Sequence, residues 1–171
     1  RAAAIRGVYV PQFYHQDYSG NSLIGRRTEP GIPERIDRHW VKRSADLLTH
    51  SEMHNGDSAF KDMSLMEVTR GCVWACRFCT AGFIYRPPRL PDLNLTYRSL
   101  ERVLGEQGRS PSTVGLVGPS VTDHPDLLPL ARKIVADGKM LSFSSLRMET
   151  LTDELVDLIL KSGQKTLTLA V

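Results

Sequence analysis

What most constrains this chain is an alternation of two apolar periods beyond Asp62. Short runs of apolar residues, the mark of buried strands, alternate with stretches in which such residues recur at three- and four-residue spacing, the mark of helices. Residues 64–68 read as a compact strand running directly into Arg70-Gly71-Cys72. Tyr97, Leu100, Val103 and Leu104 then recur at helical spacing and stop at Gly108, a residue suited to a C-cap. Residues 113–117 form a second strand. Leu127, Leu130, Ala131, Ile134 and Val135 make a helical stripe ending at Gly138. Pro129 fits there because Asp123 or Asp126 can start the helix, which leaves the proline near its first turn. Residues 140–145 are a third strand. Thr152 can N-cap a third helix, with Asp153 and Glu154 at its positive end, Leu155, Leu158 and Ile159 on its buried face and Gly163 at its close. Residues 166–170 are a fourth strand. Right-handed crossovers turn this order into a parallel sheet with helices outside, so the fold class is α/β.

Before Asp62 the pattern is looser. Residues 7–10 read as a short β-like run, followed by turn signals at Gly20-Asn21, Pro30-Gly31 and Asn55-Gly56. Residues 35–43 fit an extended or a helical segment equally and stay unassigned. The organisation expected is a loop-rich connector over 1–62 and an α/β domain over 63–171. At 171 residues the chain is long enough to bury a sizeable core. Its 41% hydrophobic and 24% charged residues are ordinary for a soluble globular protein. The apolar runs fall far short of the roughly 20 residues that cross a bilayer, so no membrane span is expected. Residues 1–6 carry neither an initiator Met nor the apolar core of a signal peptide, and the chain stops at Val171 inside an apparent strand. Both ends therefore read as cuts in a longer sequence. A net charge of +3 gives no indication of nucleic acid.

All three cysteines lie at Cys72, Cys76 and Cys79. An odd number so tightly spaced argues against a secreted disulfide framework and for metal or redox chemistry in a reducing, cytoplasmic setting. Iron-sulfur clusters in electron-transfer proteins usually take four thiolates. Three leave one iron open to chelate a substrate. The bland alternative is a non-catalytic module in which zinc or a cluster serves structure or RNA contact, but a structural zinc site wants four closed ligands. Only His54 and His124 lie near enough in sequence to supply a fourth, and neither stands at knuckle spacing.

The segment Glu67-Val68-Thr69-Arg70-Gly71-Cys72-Val73-Trp74-Ala75-Cys76-Arg77-Phe78-Cys79, following a strand, resembles the signature of the radical S-adenosylmethionine (radical SAM) superfamily. The resemblance implies a 4Fe-4S cluster on Cys72, Cys76 and Cys79 whose open iron binds the amino and carboxylate groups of S-adenosylmethionine. It implies reductive cleavage of that ligand to a 5'-deoxyadenosyl radical, which abstracts hydrogen from a substrate that the sequence does not identify. It further implies a flavodoxin- or ferredoxin-like electron donor and the N-terminal part of a partial (βα) barrel, fewer strands than the eight of a full barrel. Residues 80–89 and 144–155 are similar to the subgroup often linked to an N-terminal cobalamin-binding domain, although the Asp-x-His-x-x-Gly cobalamin signature is absent from this chain.

The same resemblance places Phe78, between the last two cysteines, beside the adenine. Where family members often end the second strand with Gly-Gly-Glu, this chain reads Gly115-Leu116-Val117-Gly118-Pro119-Ser120 and lacks the acid. Gly118 can still permit close approach to the ligand, or serve an ordinary turn. Ser145 and Arg147 fall at the end of the third strand, the edge where parallel α/β folds bind ligands. Arg147 can pair with the ligand carboxylate, or with Glu149 or Glu154 at the surface. His124 reads as a capping or surface group. Arg86 and Arg89, flanking Pro87-Pro88, can meet an anionic substrate or an acidic donor, or lie in a solvated turn.

Overall fold

The computed structural model describes residues 2–40, 50–51, 57–105, 111–144 and 146–170. The chain divides into two compact units, Arg1–Lys42 and Arg43–Val171.

In the first unit, residues 7–10 form no strand, contrary to the expectation from their apolar run. The strands lie further on: β1 (Tyr14–Ser19) and β2 (Ser22–Thr28) form an antiparallel hairpin turned at Gly20-Asn21. Most of their side chains are exposed, so no apolar alternation marks them. A cross-strand pair, Arg27 donating through Nε and Nη2 to the Asp17 carboxylate at 3.0 and 2.9 Å, supports the ladder instead.

The second unit follows the sequence pattern. It runs β3 (Met63–Glu67), α1 (Ala81–Ile84), α2 (Leu93–Gly105), β4 (Thr113–Val117), α3 (Leu127–Ala136), β5 (Met140–Phe143), β6 (Leu146–Arg147), α4 (Asp153–Lys161) and β7 (Leu169–Ala170). Strands β3, β4 and β5 lie side by side, all parallel, with Leu65 opposite Gly115 and Leu116 opposite Phe143. Four of the five β4 residues are buried, as befits a central strand. The third strand is shorter than expected. It pairs with β4 only to Phe143, while β6 pairs in parallel with β7, the fourth strand, as a separate two-stranded sheet.

Helices α2 and α4 start at side-chain caps, whereas the Asp126 side chain makes no capping bond at the start of α3. The Asp92 carboxylate accepts from the backbone N–H groups of Asn94 and Leu95, which begins α2 a turn before its apolar stripe. Leu127, Leu130, Ala131 and Ile134 bury one face of α3, and Pro129 sits in its first turn. The Thr152 hydroxyl accepts from the Leu155 N–H and caps α4, whose Leu155 and Ile159 are buried. The buried side chains of α3 and α4 join Met66, Val68, Leu116 and Leu141 in one core.

Candidate functional site

The three cysteines stand on the loop that leaves the C-terminal end of β3. In parallel α/β folds that edge collects ligands, because the loops there converge over the sheet. All three thiols are free and partly exposed. Among the described residues no three His, Cys, Asp or Glu side chains form a metal-holding group, so the sulfurs share a loop without standing as a preformed ligand set.

The backbone leading into the loop is tightly fixed. The Arg70 N–H donates to the Arg89 carbonyl at 2.9 Å and the Arg89 N–H returns to the Arg70 carbonyl at 2.7 Å. Gly71 adopts a φ of +84°, and a Cβ there would stand 2.3 Å from the Tyr85 carbonyl oxygen, so only glycine fits between Arg70 and Cys72. Arg70 pairs with Glu67, which holds its guanidinium proton more firmly than usual. Arg86 donates to the Val73 carbonyl at 3.1 Å inside the cysteine loop, and Arg89 donates through Nε to the Pro87 carbonyl at 3.1 Å. These two cations thus brace the loop and its return.

Gly118, just past β4, lies against Thr69, just past β3. A Cβ on Gly118 would stand 2.0 Å from Thr69 Oγ1 and 2.7 Å from the Thr69 carbonyl oxygen. The Thr69 hydroxyl is buried without a hydrogen-bond partner. A cavity of about 240 Å3, lined in part by Thr69, Gly71, Val73, Ser120 and Asp123, opens beside this contact. The Ser144 hydroxyl donates to the Gly118 carbonyl at 3.3 Å, linking the end of β5 to the same point.

Arg147 reaches the cysteine loop. Its guanidinium carbon lies 3.7 Å from the centroid of the Trp74 ring, and its Nη2 is 3.2 Å from Glu149. The Trp74 indole N–H donates to Asp123 at 2.5 Å, and Asp123 also accepts from the Ser120 hydroxyl. The fold therefore brings the loop and Gly118, at the strand ends of the three-stranded sheet, together with Arg147 at the end of β6 in the smaller one. Phe78 is 82% exposed on that loop. Ser145 lies outside the described residues, as does His54. Sequence reasoning passed over Trp74, Thr69 and Asp123 as site residues. The signal that could have found Trp74 was a large aromatic inside the cysteine spacing, where a solvated loop needs none.

His124 is buried, and its Nδ1 accepts the Asp126 N–H at 3.0 Å at the start of α3. Burial pushes its imidazole below the ordinary value, so it serves as a neutral acceptor. It is thus a buried group rather than the surface one also expected, and its bond goes to the N–H of Asp126, the N-cap of α3, which has no side-chain cap of its own.

The family model described as the Radical SAM superfamily matches residues 66–171. This chain belongs to the radical SAM superfamily. A protein of Methanocaldococcus jannaschii, described as uncharacterized, is 40% identical over 115 residues, which cover 67% of this chain and 24% of the relative. The chain thus spans about a quarter of that relative's length. No solved structure matches it significantly. Radical SAM proteins generally bind a 4Fe-4S cluster and S-adenosylmethionine. The donors here fit such a cluster in kind: three free thiols on one loop, no disulfide among them, at a strand end where Gly118 keeps the backbone bare of a side chain. Cobalamin gains no support from these matches. No helix among the described residues is long and apolar enough to cross a membrane.

Proposed function

We propose that this chain is the cluster-binding part of a radical SAM enzyme, with Cys72, Cys76 and Cys79 as the three thiolate anchors. The observation that carries the reading is the place of the three-cysteine loop, at the C-terminal end of β3 beside Gly118 and Arg147. Thiolates are the ligands that iron-sulfur clusters take, and three of them leave an iron for a small-molecule chelate. When bound, the reduced cluster supplies the electron that cleaves S-adenosylmethionine and starts radical chemistry on a substrate.

The chain's own residues have separable tasks. Arg86 and the Arg70–Arg89 bridge hold the loop's two ends, so that loading must order only the short span between them. Arg147, side chain 22% exposed, offers a guanidinium close to the loop for a ligand carboxylate. Glu149 is its present partner, and a carboxylate ligand competes with it. Phe78 stands exposed on the loop where a flat ligand can approach it, and Gly118, packed against Thr69, sets the strand end beside it. The exposed Val73, Phe78 and Phe83 beside Arg77 and Arg86 suit docking of an acidic flavodoxin- or ferredoxin-like donor. Residues 63–171 then form the front of a partial (βα) barrel, with 1–62 as the connector before it, in the reducing cytoplasm that free thiols require.

Replacing any one cysteine by Ala tests the assignment after anaerobic reconstitution with iron and sulfide. Each single variant should lose most of its cluster iron and form no 5'-deoxyadenosine with dithionite. Retention of four irons by any of them would overturn the assignment.

A further inference from the structure

The cysteine loop is held against the strand ends by the indole between its first two cysteines. Trp74 donates its edge N–H to Asp123 at 2.5 Å and offers its face to Arg147, whose guanidinium carbon is 3.7 Å from the ring centroid. Asp123 lies in the turn after β4, and Arg147 is the last residue of β6. One side chain in the loop therefore meets two separate strand ends. Tryptophan combines the π face that attracts a guanidinium best with an edge N–H that can donate to a carboxylate, and Trp74 uses both.

Both receivers are fixed in turn. Asp123 accepts from the Ser120 hydroxyl. The Arg147 N–H donates to Thr122 Oγ1 at 3.4 Å, its carbonyl accepts from Thr150 Oγ1 at 2.8 Å, and its guanidinium pairs with Glu149. Behind the loop, a Cβ on Gly82 would stand 2.3 Å from the Trp74 carbonyl oxygen, so the tryptophan backbone is pinned as its ring is clasped. Neither the cysteines nor their spacing requires such a contact.

We propose that Trp74 is a positioning residue: its indole latches the cysteine loop onto Asp123 and Arg147 and so sets where the three thiols stand over the sheet. This rests on the cluster assignment above. A loop latched before loading gives up less freedom when metal binds, so the latch strengthens retention of the metal group rather than the stability of the fold.

Two measurements separate these ideas. The chain has two tryptophans, so Trp40→Phe leaves Trp74 as the sole indole. In that background, without cluster, Asp123→Ala should raise acrylamide quenching of Trp74 at least twofold while the melting temperature stays put. Equal quenching would overturn the latch. In the reconstituted protein, Trp74→Phe, which keeps the ring face but loses the donor, and Asp123→Ala should each lose iron to a chelator about tenfold faster. The double variant should lose it no faster than either single, because both changes break one bond. Additive losses, or wild-type retention in Trp74→Phe, would overturn the proposal. If wild type itself takes up no iron, the cluster assignment fails, and the quenching result alone then decides whether the latch exists.

Discussion

Gly118→Ala should destabilise the protein through one contact whose size can be worked out. The added Cβ would meet Thr69 at three atoms: Oγ1 at 2.0 Å, the carbonyl oxygen at 2.7 Å and Cβ at 3.2 Å. Turning the Thr69 side chain relieves the first but not the second. The carbonyl lies about 0.7 Å inside the 3.4 Å at which ordinary contact begins (3.4 − 2.7). The backbones after β3 and β4 must then part where the Val68 N–H donates to the Val117 carbonyl at 3.0 Å. Overpacking of this kind costs about 1–3 kcal/mol. For a chain of this size about 2 kcal/mol lowers the melting temperature by roughly 4–8 °C. Far-UV circular dichroism melts of the cluster-free protein measure it. Thr69→Ala in the same chain should restore part of the loss, since it removes the hydroxyl and leaves the carbonyl. Gly105→Ala, where a Cβ meets nothing within 4 Å, is the control and should not lower the melt. A Gly118→Ala protein that melts with wild type would refute the reasoning.

Gly71→Ala should be worse, by about 1–3 kcal/mol or more, because it combines a φ of +84° with a carbonyl oxygen 2.3 Å away; a melt equal to wild type would contradict this. His124 supplies a pH dependence. Its native value is depressed by burial, so the folded chain binds fewer protons than the unfolded chain between that value and the ordinary one of about 6.5. Its contribution is therefore full above about pH 6.5 and is lost as pH falls towards the depressed value. His124→Asn should flatten the stability profile below about pH 6.5, and denaturant titrations showing an unchanged slope there would discard this explanation.

The second unit was legible in sequence because packing and period agree there. The buried β4 and the Leu127–Ile134 stripe of α3 have no other way to bury their apolar faces. The hairpin of the first unit was not legible, since its residues are mostly exposed and polar and its support is a charge pair rather than a core. The site divides in the same way. Cysteine spacing is a local fact, and the loop stands where a strand end was expected. Contacts across the edge are long-range: Trp74 with Asp123 joins positions 49 residues apart, and no local pattern encodes that distance. The fit of Gly118 to Thr69 is likewise a matter of two strand ends meeting, which a glycine in a turn-like phrase does not reveal.

In the proposed function, Cys72, Cys76 and Cys79 hold a cluster with one iron left for S-adenosylmethionine. Electron paramagnetic resonance of the anaerobically reconstituted, dithionite-reduced protein, recorded with and without S-adenosylmethionine, tests it most directly. About four irons per chain are expected, with a reduced 4Fe-4S signal whose shape changes when the ligand is added. A protein that takes up zinc in place of a cluster, or a cluster whose signal is indifferent to S-adenosylmethionine, would contradict it.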